Sequence, residues 1–583
     1  NIDKIAPLHY NSMMKKNRET ADIFNQIADA LEYKGENVFR VVAYRKAARI
    51  LEELTEDVEE LLKSGRLKSL PGIGEGMAEK IEEYLKTGKI QKYIEATKGI
   101  PPSLLELLNI QNLGPKTLAL ANKHLGVKNL EDLKRVIADG SLAKLPQMGE
   151  KKVENIKKGI ELYERSHERL SIAVAESIAS NVVEYLKKNA PILQISPAGS
   201  LRRWKETIGD IDILVTGKDH KKIVDAFTKY PEAEQIISAG ETKSSILVQG
   251  GIQVDIRIVD KKSYGAALQY FTGSKAHNVK LRGIAVSKKW KLNEYGLFEG
   301  EKAIAGEDEE DVYKRLGLQW IPPELREDRG EVELALKSRL PKLVEFSDIK
   351  GDLQMHSNYS DSTATIEELA LVAQKMGYEY ILITDHSRSA KYAHGLEIER
   401  LYKEWEEIDA LNKKFKNFRI LKGIEVDILP NGKLDYPDKI LEELDMVVAS
   451  IHQGFTKNVT ERICSAMENP YVDIIGHPTG RLISKREGYA VDIEKIIKKA
   501  AETKTFLECN AYPDRLDLND LNLKRCKELG VKISIGTDAH SVEELRWMKF
   551  GVATCRRGWL EKNDVVNTYP LEKLLKSRKT NQK

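Results

Sequence analysis

Cysteine is nearly missing from this chain: four residues in 583, Cys464, Cys509, Cys526 and Cys555, none spaced as Cys-x-x-Cys. That excludes a disulfide framework and a zinc ribbon, and it fits a reducing, cytoplasmic setting. Long apolar runs are missing as well. Nothing approaches the ~18 residues of a membrane span, and the N-terminus lacks the basic-then-apolar order of a signal peptide, so a soluble protein with no membrane partner is expected. Neither charge is in surplus: Lys+Arg 93 against Asp+Glu 90 leave a net +3. The total does not announce a polyanion partner, and local distribution has to be examined instead. At 41% hydrophobic the chain is too long for one core and has material for several, so three or four domains are expected. The opening NIDKIAPLHYNS, ahead of Met13 and Met14, carries no fold or site pattern.

Residues 15 to about 165 read as helix broken by short Gly and Pro punctuation. The punctuation repeats: LPGIGEGMAEKI (70–81), IQNLGPKTLALA (110–121) and LPQMGEKKVENI (145–156) each set an apolar residue before a Gly turn and a Lys-bearing helix. Glycine closes such a turn and leaves backbone N–H groups at a helix N-terminus open to a phosphate. Three copies resemble helix-hairpin-helix units, which hold a DNA backbone without reading sequence. Gly72, Gly74, Gly114 and Lys116 are the candidate contacts.

From 171 to about 260 the texture turns to a helix and β-branched strands, with a hairpin expected at Gly250-Gly251. In GDIDILV, Asp210, Asp212 and Leu214 share one strand face while Ile211, Ile213 and Val215 share the other. Two carboxylates ~6–7 Å apart along a strand are uncomfortable without a cation. Asp255, on a further strand run QVDIRIV, is a third, with Arg257 on its face. Three aspartates on adjacent strands suit two magnesium ions, which activate an attacking hydroxyl and neutralise a leaving phosphate. Alone, Asp-x-Asp on an edge strand is a solvated face. Upstream, GSLRR offers Gly199 and Ser200 to a triphosphate and Arg203 to neutralise it. Residues 261–291 then carry eight basic residues and no acidic one, a local basic patch.

The run GS…GDIDIL…VDIR resembles the nucleotidyltransferase superfamily, and YGAALQYFTGSKAHNVKLR (264–282) narrows the resemblance to the family X DNA polymerases, over roughly residues 15–320 through NEYGLF (293–298). The resemblance implies Asp210, Asp212 and Asp255 as catalytic metal ligands for Mg2+. It places Gly199, Ser200 and Arg203 on the phosphates of an incoming dNTP, Tyr270, Phe271 and Gly273 at its sugar and base, and Asn278 and Arg282 where the nascent pair is sensed. A bulky Tyr270 would disfavour a 2′-hydroxyl. Arg257, Lys280 and Arg282 are expected at DNA. LPGIGEGMAEKI also looks like the family's lyase domain, in which a lysine attacks an abasic sugar. Lys80 matches that lysine and Tyr44 also fits, while Gly76 and Arg40 stand where other members carry lysines.

WIPPELREDRGEVELALKSRLPKLVEFSDIKGD (320–352) reads as a linker with a short helix. After it, seven strand-like runs ending at LQMH, ILITDH, LKGIEVD, MVVASIH, VDIIGH, TFLECN and VKISIGTDAH alternate with helical stretches, the pattern of parallel βα units closing into a barrel. Six of the 11 histidines follow residue 350, five of them at strand ends. Strand C-termini of a barrel converge on one mouth, so His356, His386, Glu425, His452, His477, Asp538 and His540 should meet, a donor set for several Zn2+, Mn2+ or Fe2+ ions. The stretch resembles the PHP (polymerase and histidinol phosphatase) domain over about 348–570, which adds Asp361 as a ligand and implies up to three ions. Gln354 stands where the first His of His-x-His is common, and His394 falls outside the pattern.

The expected architecture is multidomain: helical helix-hairpin-helix domains (15–95 lyase-like, 96–170 fingers), an α+β nucleotidyltransferase palm (171–260) and thumb (261–320), a linker (321–347), and a distorted TIM-like β/α PHP barrel (348–575). The expected function is gap-filling, DNA-directed DNA synthesis in repair on gapped or primer–template DNA by a monomer. A metal-dependent PHP nuclease accompanies it, first a 3′-to-5′ exonuclease, with AP endonuclease or 3′-phosphatase compatible. The rivals are a DNA-binding scaffold with structural metal sites and a PHP phosphatase of small phosphate esters.

Overall fold

A computed structural model describes residues 15–581 apart from 54–57, 71, 109, 111, 147 and 249–251, so the expected Gly250-Gly251 turn lies outside the described residues. The chain folds as two units, one that ends at His167 and takes in Asp361–Thr363, and one that runs over Glu168–Ser360 and on from Ala364. Among the described residues no helix is long and apolar enough to cross a membrane.

The first unit is helical around a core that includes Phe24, Ile27, Leu51, Ile73, Ile81 and Leu118. Gly74 and Gly114 are the N-caps of helices Glu75–Thr87 and Pro115–Leu125, and Gly149 precedes Glu150–Glu168. At Gly72 the turn needs φ +104°, and a Cβ would lie 2.5 Å from Ile50 Cδ1, so only glycine closes it. Each turn therefore buries the residue before it (Ile73, Leu113, Met148) and leaves its glycine (Gly74, Gly114, Gly149) exposed.

In the second unit β1 (Ile192–Pro197), β2 (Ile211–Gly217), β3 (Ala233–Ala239), β4 (Lys243–Val248) and β5 (Ile252–Ile258) form one sheet in the order β1-β2-β5-β4-β3, with β2 and β5 parallel and the other pairs antiparallel. Helices Ile172–Asn189 and His220–Thr228, capped by Ser171 and Asp219, cover the face carrying Ile211, Ile213 and Val215. Leu214 points the other way, onto Tyr264 and Ala267. Helices Tyr264–Thr272 and Lys275–Ser287 lead into an antiparallel sheet of β6 (Trp290–Asn293), β7 (Gly296–Glu299) and β8 (Lys302–Ala305).

Residues 321–347 differ from the expected linker. Ile321, Leu325, Val332 and Ala335 are buried in the core that also holds Leu281, Leu297 and Tyr313. Arg326 is fully buried, 2.7 Å from Glu309, and lies over the Tyr313 and Trp320 rings. The preceding helix has already ended at Leu316 with Gly317 as its cap, and the double proline starts a short turn, Pro323–Leu325, without releasing the chain from the fold.

The remainder is a ring of parallel strands: β9 (Gly351–Met355), β10 (Tyr380–Ile383) and β11 (Arg419–Lys422) in one sheet, and β12 (Glu425–Asp427), β13 (Val448–Ser450), β14 (Ile474–Ile475), β15 (Phe506–Asn510) and β16 (Ile533–Gly536) in another. The bridges His386↔Glu425 and Met355↔Ala539 join the two sheets on both sides. β11 and β12 belong to one run, LKGIEVD, interrupted at Gly423 and Ile424, so the seven expected runs build the barrel.

Barrel and palm are packed together. Phe550 and Leu516 enter the palm core, and Phe550 meets Trp204 edge-on at 6.1 Å. Arg557 is buried between Asp520 (2.7 Å), Glu327 (3.2 Å) and the Arg203 carbonyl (2.7 Å), and Asp520 also holds Arg329 at 3.0 Å. Removing one member of such a buried set leaves its partners uncompensated, a cost of about 3–5 kcal/mol. Arg557→Ala should therefore lower the melting temperature by several degrees in a thermal scan; an unchanged midpoint would mean that this junction is not an energetic one.

Candidate active sites

The palm site is set by strand register. Asp212 on β2 lies directly opposite Asp255 on β5, with Asp210 exposed just before β2 begins. Gly199 opens the short helix Gly199–Arg202 at φ +58°, and a Cβ there would stand 2.5 Å from Asp212 Oδ2. No side chain fits between that backbone and the carboxylate. Burial, then the charges of Asp210 and Asp255, push the Asp212 carboxyl up to about 6 against the pull of Arg257 and Lys243. Lys243 Nζ sits 3.3 Å from Asp255 Oδ2, and Gln253 Nε2 donates to Asp255 Oδ1 at 2.8 Å. Three carboxylates crowded together, the charges of two of them helping to raise the third, with all-oxygen donors, fit magnesium.

The other expected palm residues surround this centre in unequal ways. Ser200 is half-buried beside Gly199. Arg203, expected free for a phosphate, is committed elsewhere: its Nη1 donates to the Thr272 carbonyl at 2.5 Å and its Nε meets Glu327 at 3.1 Å. It holds the Thr272–Gly273 backbone, and a Cβ on Gly273 would come within 3.2 Å of it. Tyr270 and Phe271 are half-buried and meet edge-on at 5.2 Å, with the Arg257 guanidinium stacked 5.1 Å from the Phe271 ring. Asn278 is buried, accepting from Gln269 Nε2 and donating to the Tyr270 carbonyl, both at 2.7 Å, so it fixes where Tyr270 stands. Lys280 is paired with Asp328 and Glu333 at 2.6 Å each, while Arg282 is exposed.

In the first unit Gly72, Gly74 and Gly114 are exposed at their turns. Lys116 is exposed and 4.0 Å from Glu32. Lys80 is half-buried, with its solvent-facing Nζ donating to the Gly76 carbonyl at 2.7 Å, whereas Tyr44 is buried, its ring edge-on to Phe24 at 5.6 Å. Burial raises the Tyr44 hydroxyl above its ordinary value.

At the barrel mouth the imidazoles and carboxylates gather around Glu425. His386 Nδ1 and His477 Nε2 each stand 3.1 Å from its oxygens, His452 Nε2 at 3.4 Å and His356 Nε2 at 3.7 Å. His356 also meets Asp538 Oδ1 at 3.0 Å and stacks between His386 and His540, ring centroids 4.4 Å apart on either side. Among the described residues of the second unit, His386, Glu425 and His452 have the spacing of a metal site, while Asp361, expected as a further ligand, falls in the first unit. The buried Nδ1 of His477 and Oε1 of Gln354 have no hydrogen-bond partner among the described residues. Gln354 keeps its place in the cluster, with Nε2 donating to Glu425 at 3.2 Å. Nitrogen and oxygen donors in this number fit zinc, manganese or iron.

Sequence reasoning missed the residues behind these ligands. Asp427 holds His452 Nδ1 at 2.6 Å, and although burial opposes it, Glu425 and Asp427 carry the His452 imidazole up to about 10. Glu508 accepts from the His477 amide, Asn510 donates to Asp538 at 3.0 Å, and Arg515 stands 3.6 Å from Asp538. Asp427 shares a strand face with Glu425, a signal the alternation already carried. Palm Lys243 offered no such signal, because its partner Asp255 is fixed only by the pairing of β4 with β5.

One chain thus places an oxygen-donor centre on a palm sheet and an imidazole-rich centre in a barrel mouth, the equipment of an enzyme class that both forms and hydrolyses phosphate esters. Family models match the helix-hairpin-helix domain over 15–90, a SAM-like helix-hairpin-helix tandem over 104–161, the DNA polymerase beta thumb over 267–327 and the PHP domain over 352–512. A DNA polymerase/3′-5′ exonuclease PolX of Bacillus subtilis is 41% identical over 560 residues, 94% of this chain and 97% of that protein. Over the C-terminal part, a probable phosphatase of Thermoanaerobacter sp. is 34% identical over 221 residues, 35% of this chain and 84% of the relative. Another, of Caldanaerobacter subterraneus, is 31% identical over 196 residues, 30% and 70%. The chain belongs to the family X DNA polymerases that carry a C-terminal PHP domain.

The Asp212 shift sets a pH test. A carboxyl raised from 3.8 to about 6 on folding contributes stability that is present at low pH and lost as pH rises through 6. In EDTA the wild-type melting temperature should fall more between pH 4 and 6 than that of Asp212→Asn, and magnesium at pH 7 should restore stability to the wild type more than to the variant. Parallel pH profiles for the two would remove the crowded-carboxylate account.

Proposed function

We propose that this chain is a DNA-directed DNA polymerase that fills short gaps during DNA repair, and that its barrel is a metal-dependent 3′-to-5′ exonuclease. The observation that carries the reading is the in-register pairing of Asp212 with Asp255 beside the Gly199 backbone, in a chain similar over 94% of its length to a protein named for both activities. Asp210, Asp212 and Asp255 would hold magnesium; His356, Asp361, His386, Glu425, His452, His477, Asp538 and His540 would hold zinc, manganese or iron, up to three ions. Such ions supply charge neutralisation at phosphorus and an activated hydroxyl nucleophile.

The chain's own residues do the rest. Gly199 and Ser200 bring backbone and hydroxyl to the phosphates of a dNTP, and the Gly199 backbone lies against the Asp212 carboxylate with no side chain between them. Lys243 offsets the charge of Asp255. Arg203 serves the nucleotide by fixing the Thr272–Gly273 backbone, and Asn278 by fixing Tyr270, whose ring would crowd a 2′-hydroxyl. Arg282, exposed on its helix, is suited to DNA, whereas Arg257 would reach it only by leaving the Phe271 ring and Lys280 only by leaving Asp328 and Glu333. Gly72, Gly74, Gly114 and Lys116 would grip the phosphates of gapped or primer–template DNA through backbone amides and charge. Lys80 is the proposed lyase nucleophile, a role its solvent-facing amine supports, and Tyr44, its ring packed on Phe24, is the second residue proposed for that domain's lyase role. The protein would act as a cytoplasmic monomer.

A second reading for the barrel rests on the similarity of its sequence to probable phosphatases. AP endonuclease, 3′-phosphatase and small-ester hydrolysis use the same chemistry. Competition of ester turnover by DNA separates DNA-directed from small-molecule hydrolysis.

Asp212→Ala should reduce primer extension on one-nucleotide-gapped DNA by several powers of ten with gapped-DNA binding near wild type, while His477→Ala should do the same to exonuclease activity and spare extension. Because the palm and barrel share the contact at Phe550, circular dichroism is run on each variant first. Equal loss of both activities in folded His477→Ala would make the barrel a support for the palm. Tyr270→Ala should raise ribonucleotide incorporation relative to deoxynucleotide, and an unchanged ratio would return Tyr270 to a packing role.

A further inference from the structure

Three loops leave the barrel mouth directly after ligand-bearing strand ends: the segment after His386 carries Tyr392, that after His452 carries Phe455, and that after His477 carries Arg486 and Tyr489. The Tyr392 ring lies 6.2 Å from His386 and 6.4 Å from His452, which places it at the lip of the metal-ligand cluster. Phe455 stacks on Tyr489 at 5.3 Å with planes 16° apart, and the Arg486 guanidinium lies 5.2 Å from the Phe455 ring. Tyr489 is anchored by its hydroxyl donating to the Ile451 carbonyl at 2.6 Å, and Arg486 Nη2 by the Gly480 carbonyl at 2.7 Å. Arg486 Nε is buried without a hydrogen-bond partner among the described residues. On this anchored base Phe455 is 37% exposed and Tyr392 43% exposed. Exposed Lys391 and Lys457 stand on the same loops.

We propose that Phe455, backed by Arg486 and Tyr489, and Tyr392 form a stacking seat for the unpaired terminal nucleotide of single-stranded DNA at the barrel mouth. The inference rests on the exonuclease reading and names its substrate: a strand end whose last base has left the duplex stack. Aromatic rings held rigidly from behind, among cations, are what sequence-tolerant single-strand binding requires, since every base offers a π face and every linkage a phosphate. A duplex end keeps its terminal base stacked on its neighbour, so the seat favours frayed or single-stranded ends.

The test uses the full chain and an oligodeoxythymidine ending in 3′-terminal 2-aminopurine. In EDTA, binding to the wild type should quench the 2-aminopurine fluorescence; Phe455→Ala should lose most of the quench and Phe455→Trp should keep it. With manganese, Phe455→Ala or Tyr392→Ala should raise KM for the oligonucleotide about tenfold, within the range for one base–aromatic stack, while leaving hydrolysis of the same oligonucleotide ending in an abasic residue unchanged. Wild-type quench and KM in both alanine variants would overturn the seat, and so would an equal loss on the abasic end, which would make the rings supports of the mouth. A wild type that quenches but hydrolyses no DNA end would instead overturn the exonuclease reading and leave the seat standing.

Discussion

Buried carboxylates placed side by side are the constraint on which this molecule is organised. Pairing β2 parallel to β5 in the register Asp212↔Asp255 brings two negative charges together on a half-buried face, with Asp210 next to them. The sheet tolerates this because the opposite face of β2 is given entirely to Ile211, Ile213 and Val215, whose burial against two helices stabilises the strand whatever the polar face does. The surrounding cations are too few: Lys243 reaches one carboxylate, and Asp212 stays hard to ionise. A site that is electrostatically incomplete in this way is prepared for a divalent ion and selective for oxygen-liking ones.

The barrel solves the same problem with different donors. Glu425 is fully buried, yet against the penalty of burial His452, His386 and His477, all within 3.4 Å, hold its carboxyl well below the ordinary range. A second layer then orients those imidazoles: Asp427 on His452, the Glu508 carboxylate on the His477 amide, Asn510 and Arg515 on Asp538. Groups of this kind fix ring orientation and tautomer, which is why the ligands can converge without collapsing onto one another. Gln354 fits the pattern: a neutral amide at the floor of the cluster donates to Glu425 without adding a further imidazole.

What the sequence made legible follows from the range of the interactions involved. The seven barrel runs could be read because each apolar strand ends in a polar ligand, a local pattern, and the break in LKGIEVD was marked by its glycine. The aspartate face could be read from alternation alone. Arg203 could not, since its partner Glu327 is far along the chain and nothing near Arg203 says that its charge is already used. The stretch 321–347 was misleading for the same reason: prolines and mixed charge resemble a linker, while Arg326 finds Glu309 only after the chain has folded back. Asp427 was within reach, being two residues from Glu425 on the same face.

Those long-range ion pairs also tie the two catalytic regions of the second unit to each other. Arg203 fixes the Thr272–Gly273 backbone and meets Glu327; Glu327 meets Arg557; Arg557 meets Asp520, which meets Arg329. Three of these charged groups are on the palm and thumb side and two on the barrel. Apolar contact through Phe550 and Trp204 supplies area, but area alone would let the palm slide over the barrel. Alternating charges do not slide, because each displacement uncovers a buried ion. The barrel therefore does more than carry a second activity. Through Arg557 it holds the arginine that fixes the Thr272–Gly273 backbone, so under the proposed function the geometry of synthesis depends on the domain proposed for degradation.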